Sequence, residues 1–333
     1  MAYGKKAMAG CLAQSAIFFL PQSFSNHSGV VMKKPVICVA GSANMDLVTT
    51  VQRMPMAGET IHGNAFQTYF GGKGANQAVM AAKLGGEVWM IAKIGEDTFG
   101  KDYMKNFTAC GLNTSCVYTT KEASTGIAAI TVQENGQNAI IVVGGANLSF
   151  SEEEIEKAAA AIGKADVLVC QNEINLNATL RFLQIARMYG VPTIFNPAPA
   201  EDFPDEIYRL CDYFCPNESE AAHIVGFPVK TIEDVKRAGK DFLSRGVKNV
   251  IITLGSKGSL LMSEGKTVLV ETEKVTAVDT TGAGDAFIGT VAYFIASGIP
   301  VEEAMKKASH AAALSVQKRG AQKSFPTYAE CGF

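Results

Sequence analysis

The run Asp279-Thr280-Thr281-Gly282-Ala283-Gly284-Asp285-Ala286-Phe287 sets a carboxylate directly behind two glycines and ahead of an apolar stretch of helix length, Ala286 to Ala296. A helix starting there leaves its first N–H groups without intrahelical acceptors and carries the positive end of its dipole, so the turn can hold a phosphate or a developing negative charge. Glycine lets that backbone approach closely. Asp285 can then take the proton of a hydroxyl whose oxygen attacks phosphorus held over Gly282, Ala283 and Gly284. The same residues also suit a plain glycine-rich connection with Asp285 as a first-turn acid, and the rest of the chain must discriminate.

From Pro35 onward, short apolar runs alternate with helical stretches. Val36 to Ala40 reads as a buried parallel strand handing over to Gly41-Ser42-Ala43-Asn44-Met45-Asp46. Ligands of open α/β sheets bind at such strand ends, so Asn44 and Asp46 are candidate contacts, with ordinary turn formation as the alternative. Further strands over 166–170, 192–195, 212–215 and 250–253 end in Gln171-Asn172-Glu173, Asn196-Pro197, Pro216-Asn217-Glu218-Ser219-Glu220 and Leu254-Gly255-Ser256-Lys257-Gly258, and together they can line one rim of a parallel sheet. Helices are expected from a capping box at Ser151 to Ile162, over about 178–189, after the Pro216–Glu220 tail to about Val225, from Thr231-Asp234 onward, and over Val301–Gln317.

Two stretches break the alternation. Residues 47–70 carry short β segments, at Val48–Val51, Thr60–His62 and Phe66–Phe70, and residues 125–143 carry two strands around Asn135-Gly136, a strong hairpin signal. Together they should build a separate small sheet, a flap that keeps water from the acceptor side of the cleft. Between them Gly71-Gly72-Lys73-Gly74-Ala75-Asn76-Gln77 leads into an Ala-rich helix ending near Leu84. No G-x-x-x-x-G-K-[ST] occurs, and no G-x-G-x-x-G follows a strand, which counts against Walker-type and dinucleotide-binding readings. A hairpin over Ser259–Met262 and Thr267–Val270 precedes the Asp285 motif, and the loop Lys318 to Pro326 has free carbonyls that could bind a cation, with a plain surface loop as the default reading.

Bulk properties point to a small partner. The 333 residues are 47% hydrophobic and 19% charged, with a net charge of −2 from 30 basic and 32 acidic side chains, so neither nucleic acid nor an acidic membrane surface is indicated. No run of about 18 apolar residues suggests a membrane span. The eight cysteines form no Cys-x-x-Cys pair, and with four scattered histidines they argue for a reducing compartment and against a zinc site. The reading places the protein in the cytoplasm or nucleus. Residues 1–34, with Lys5, Lys6 and no acid before residue 35, stand outside the folded domain as an unstructured extension or a targeting segment, leaving an organelle address open.

With these pieces placed, residues 35–328 resemble the ribokinase family of ATP-dependent sugar kinases. The resemblance is carried by Gly41–Asp46, Gly71–Gln77, Pro216–Glu220, Thr253–Gly258 and Asp279–Asp285, in that order. It implies a doubly wound, mostly parallel α/β domain over 35–331, with lid insertions at about 47–71 and 125–144 that often serve as a dimer interface. It implies Asp285 as the general base toward the ribose 5-hydroxyl, with Gly282, Ala283 and Gly284 as the anion hole. Asn44, Met45, Asp46, Gly72, Lys73, Gly74, Ala75, Asn76 and Glu173 would bind the sugar. Asn217, Thr253, Leu254, Gly255, Ser256, Lys257 and Gly258, with Gly284, would meet ATP, as would Ser309, which stands where the family often carries an Asn. Glu220 would help position Mg2+. An activating K+ would take ligands from Asp279, Thr281, Ser315, Lys318, Gly320 and Ser324. Kinases for deoxyribose or a nucleoside, and a catalytically silent sugar or nucleotide sensor, are the competing readings.

Overall fold

The structure, a computed structural model, describes residues 34–333. The expectations placed on the preceding extension therefore lie outside the described residues. In chain order the elements are β1 (Val36–Ala40), β2 (Asn44–Val51), β3 (Ala65–Gly71), α1 (Lys73–Lys83), β4 (Glu87–Gly95), α2 (Thr98–Ala109), β5 (Asn113–Thr120), β6 (Gly126–Gln133), β7 (Asn138–Val143), α3 (Glu152–Ile162), β8 (Val167–Gln171), α4 (Leu176–Tyr189) and β9 (Thr193–Asn196). They continue with α5 (Asp205–Leu210), β10 (Tyr213–Phe214), α6 (Glu218–Val225), α7 (Ile232–Ser244), β11 (Asn249–Thr253), β12 (Ser259–Ser263), β13 (Lys266–Val270), α8 (Ala283–Ala296) and α9 (Val301–Ser315).

The main sheet runs β13-β12-β11-β10-β9-β8-β1-β4-β5, parallel from β11 to β5 and antiparallel at β12 and β13. Its inner strands are mostly apolar because both faces are covered, whereas the edge strands β5 and β13 carry polar and exposed residues. Along β1, Val36, Cys38 and Ala40 join one core cluster while Ile37 and Val39 join the other; along β8, Leu168 and Cys170 part in the same way from Val167 and Val169. That is the period of two expected of a strand buried on both sides. The connection order moves from β1 out to β4 and β5, then returns to β8 on the other flank, so the topological switch lies between β1 and β8, where a cleft opens at the strands' carboxyl ends.

The second sheet, β3-β2-β6-β7, is the predicted flap. Asn44, Met45 and Asp46 are not the tail of β1 but the opening residues of β2, so the flap begins three residues earlier than the sequence suggests. Thr60–His62 is not a strand: β2 and β3 pair directly, and residues 52–64 form a long connection between them. The segment 87–120, which carries no motif, supplies β4, α2 and β5 and completes the main sheet. Helix limits otherwise follow the sequence signals closely, including the Ser151/Glu154 capping box of α3, and α9 ends at Ser315 rather than Gln317.

Candidate active site

Gly282 caps α8 in the left-handed region, with φ 78°, and an added Cβ there would lie 2.9 Å from that of Ala321. Only glycine fits both demands. At Gly284 a Cβ would meet nothing within 4 Å, so the first turn of α8 faces open space. Asp285 sits in that turn, 8% exposed. Its Oδ2 accepts from Asn76 Nδ2 at 2.9 Å and its Oδ1 from Gln77 Nε2 at 3.0 Å, both amides projecting from α1. Burial pushes the Asp285 carboxyl above the usual carboxylate range, while Lys73 and the two amides pull the other way.

The opposite wall is acidic. Glu173, just beyond β8, accepts from Ser42 Oγ at 2.6 Å and from the Lys73 N–H at 2.9 Å, bonds that span the switch between β1 and β8. Lys73 Nζ lies 3.8 Å from Glu173 Oε1. Burial disfavours the Lys73 ammonium, but Asp285, Glu173, Glu220 and Asp46 together outweigh it and raise its pKa. Asp46, on the flap strand β2, is raised to about 7, first by burial and then by the charges of Glu173 and Asp285, against Lys73. Its carboxylate lies over Gly71, where a Cβ would come within 2.2 Å of Oδ2.

Asn44 is 3% exposed, and its Oδ1 accepts from Asn147 Nδ2 at 2.7 Å. Asn147 also accepts from the Ala43 N–H at 2.9 Å, and a Cβ on Gly126 would strike both amides. Of the remaining candidates on this wall, Met45 and Ala75 turn their side chains into the core, so they can offer a ligand only backbone. Gly72, at φ 86°, and Gly74 pack against the Gly41–Asn44 backbone, which fixes the start of α1 beside the flap hinge.

A third group forms the outer rim. Asn217 caps α6 and shares a reciprocal capping box with Glu220, whose Oε2 accepts from the Asn217 N–H at 2.9 Å. Burial raises the Glu220 pKa, partly offset by those Asn217 hydrogen bonds and by Lys73. Asn217 bridges to Thr253, and Leu254-Gly255-Ser256-Lys257-Gly258 turns immediately after it, with Gly255, Ser256 and Lys257 exposed. Gly258 abuts the Val270 carbonyl, where any Cβ would come within 2.0 Å. Ser309, on α9, is 6% exposed and accepts at its carbonyl from Thr272 Oγ1 at 3.4 Å.

Beneath α8, the Val278 and Asp279 N–H groups donate to the Val316 carbonyl. Asp279 Oδ2 accepts from the Gly320 N–H and its Oδ1 from that of Thr281, each at 2.9 Å. Burial opposes the Asp279 charge, yet these bonds and Arg319 hold its carboxyl below the usual range. Ser315 and Ser324 are 1% exposed and donate to the Ala312 and Ala321 carbonyls, and the Lys318 N–H donates to the Ser315 carbonyl. The predicted cation loop is thus folded against the start of α8, and it presents oxygen donors.

Sequence reasoning missed the polar residues that hold these groups in place. Asn147, Gln171, which donates to Gln77 Oε1 at 2.7 Å, and Gln322, which donates to Asn76 Oδ1 at 3.0 Å, are all buried. Gln77 and Gln322 lie inside stretches already singled out, so their proximity to a motif was the available signal. Nothing local marks Gln171 as different from any strand-end amide.

Three comparisons bear on this arrangement. Residues 34–328 match the family model described as pfkB family carbohydrate kinase. The chain is similar to a ribokinase of Mus musculus, 44% identical over 295 residues, which span 87% of this chain and 91% of that protein. It is also similar to a deoxyribokinase of Salmonella typhi, 41% identical over 292 residues, spanning 87% and 95%. Among solved structures, Arabidopsis thaliana ribokinase complexed with ribose and ATP matches with a TM-score of 0.84 at 34% identity, covering 90% of this chain and 98% of that one.

Proposed function

Because the chain belongs to the pfkB family of carbohydrate kinases, we propose that it transfers the γ-phosphoryl group of ATP to O5 of D-ribose, giving ribose 5-phosphate and ADP. The observation that carries the reading is Asp285: a carboxylate in the first turn of α8, its two oxygens aimed by Asn76 and Gln77, beside an acidic wall suited to sugar hydroxyls. The ribose hydroxyls donate to Asp46 and Glu173, since an ionised carboxylate accepts hydrogen bonds only, and Asn44 contributes its amide. Lys73 keeps those acids from repelling one another. As O5 approaches the γ-phosphorus, Asp285 takes the hydroxyl proton. Its raised pKa makes it a better acceptor, while the two amides keep it ionised. The transferred group's charge gathers at the Gly282 and Gly284 N–H groups, while the Ala283 N–H of the same turn donates to the Thr280 carbonyl at 3.2 Å and must release it to join them.

The nucleotide lies along Asn217 and the Thr253–Gly258 turn, with Ser309 behind it. Glu220 has one oxygen committed to its own helix cap and the other left to hold a hydrated Mg2+, a donor set that fits that ion. Asp279, Thr281, Ser315, Lys318, Gly320 and Ser324 would offer carboxylate, hydroxyl and backbone carbonyl oxygens, with the Lys318 ammonium drawn off to Glu330, which fits K+. When bound, the two cations neutralise phosphate charge and the charge around the anion hole. Residues 35–331 act as one kinase domain. The flap exposes Ile140, Ile141, Val142 and Val143 on β7 together with Phe66 on β3, an apolar surface that a second copy of the chain would cover, giving a homodimer.

Among the described residues no helix is long and apolar enough to cross a membrane, and the assay can use the protein in solution. ATP consumption with Mg2+ is compared for ribose, 2-deoxyribose and adenosine, each with and without K+. Ribose-dependent turnover raised by K+ is expected. Preference for 2-deoxyribose, the substrate class of the Salmonella relative, moves the acceptor while keeping the mechanism, and ATP binding without turnover overturns the catalytic reading in favour of a sensor.

A further inference from the structure

Asp285 is not held by isolated contacts but by an amide chain with a direction. Asn106, on α2, donates from Nδ2 to Gln322 Oε1 at 2.9 Å; Gln322 donates from Nε2 to Asn76 Oδ1 at 3.0 Å; Asn76 donates from Nδ2 to Asp285 Oδ2 at 2.9 Å. Each carboxamide has one end that donates and one that accepts, so fixing the first orients the next. Gln322 stands in the middle, 8% exposed, in the same loop as the Gly320 clamp on Asp279. Its own backbone is pinned as well, because Lys83 Nζ donates to the Gln322 carbonyl at 2.8 Å and to that of Phe325 at 2.7 Å. A side branch reaches the flap hinge: Gln322 Nε2 also lies 3.3 Å from the Tyr103 hydroxyl, which donates to the Gly71 carbonyl between β3 and α1.

We infer that Gln322 is a positioning residue for the phosphoryl-transfer reaction: acting through Asn76, it fixes which end of that amide faces Asp285 and so keeps the general base ionised and aimed. This rests on the kinase reading above and adds to it the control of the base by the 318–326 loop. If the donor at Gln322 is lost, nothing holds Asn76 Oδ1 away from Asp285. The Asn76 amide can then rotate and present its carbonyl oxygen to the carboxylate, replacing an attraction with a repulsion. The reaction loses rate more than sugar binding does, because Asp46, Glu173 and Asn44 make no direct hydrogen bond to Gln322 and the Tyr103–Gly71 bond that supports the flap hinge is kept.

The test compares Gln322→Met, which removes the donor without adding charge, with Gln322→Glu, which keeps the shape and turns the donor into an acceptor. With the acceptor that the wild type phosphorylates best, kcat should fall roughly tenfold for Q322M and nearer a hundredfold for Q322E, the range set by losing one hydrogen bond to a charged group, with the sugar KM within about twofold. The Q322M change should add little once Asn76 is already Ala, because it acts through Asn76. Asn106→Asp, at the far end of the chain, should lower kcat in the same direction and serves if either Gln322 variant fails to fold. A carbon-13 titration of the Asp285 carboxyl reads the same effect without turnover: loss of the Asn76 donor should raise its pKa, against a background of Lys73, Glu173, Asp46 and Glu220 shared by all variants. Unchanged kcat and unchanged titration, a rise in KM alone, or fully additive effects with Asn76→Ala would overturn the inference. If the wild type turns over no acceptor, the kinase reading fails, and the titration alone still decides the role of Gln322.

Discussion

The two walls of the cleft each carry an aspartate, Asp285 buried and Asp46 half-buried, and the environments differ. Asp285 belongs to α8, at the centre of the main domain, and both its oxygens receive amide donors that are themselves oriented by further amides. Asp46 belongs to β2 of the flap; burial and then the charges of Glu173 and Asp285 push its pKa to about 7, and among the described residues no side-chain amide bonds its carboxylate. Both are desolvated carboxylates near Lys73. On the proposed kinase reading, the difference separates a prearranged base from a group whose carboxylate oxygens are left for a ligand's hydroxyls.

The sharpest way to break the comparison is to remove each charge in turn. Asp285→Asn should lower kcat by about a thousandfold, within the usual span for a general base, while the sugar KM stays within a few fold. Comparable turnover in a folded D285N enzyme would erase the distinction. Asp46→Asn should do the reverse, raising the sugar KM by roughly ten- to a hundredfold with a smaller effect on kcat, because it removes charge-assisted hydrogen bonds made before the transition state. An unaltered KM would show that the flap wall does not read the sugar.

The pH dependence refines this. A carboxyl raised to about 7 is protonated below that pH, and protonation deletes an acceptor, so sugar affinity should weaken as pH falls, by roughly tenfold one unit below the pKa. Calorimetry in buffers of different ionisation enthalpy should register proton release on sugar binding near pH 7, as the hydroxyls draw Asp46 to its ionised form. Asp46→Asn should abolish that release; its persistence would show that the proton comes from another group. The smallest effect belongs to the flap's outer surface. Ile141→Lys, at a side chain 70% exposed, should convert a dimer to monomer in sedimentation while changing kcat by no more than about twofold, since the base is anchored elsewhere. A dimer that survives the substitution would remove the flap as the contact.

How far this was legible in the sequence depends on whether a feature is local. The Asp285 turn announces itself because the demand for glycine at a left-handed cap and the start of an apolar helix are both encoded within ten residues or so. The Asn135-Gly136 hairpin and the Ser151 capping box are local in the same sense and appear where expected. Asn44 and Asp46 were found as polar residues at a strand's end, but placed on the wrong element, since a polar tail and the first residues of a flap strand look alike until β3 and β6 pair with them. Thr60–His62 shows the converse: β-forming residues with no partner strand remain a loop.

The sequence by itself determined the alternation of strand and helix and the existence of a separate flap, and it marked the Asp285 turn as a candidate, because apolar periodicity, glycine sterics and helix-end electrostatics act over a few residues. Only the tertiary structure decided what each buried polar group faces. Asn106, Gln322 and Asn76 are far apart along the chain, as are Asn44 and Asn147, and an amide carries no mark of its future partner. The raised pKa of Asp46 likewise comes first from burial at the junction of two sheets, a property of no single segment, and then from a glutamate on its own wall and an aspartate across the cleft that only folding brings near it.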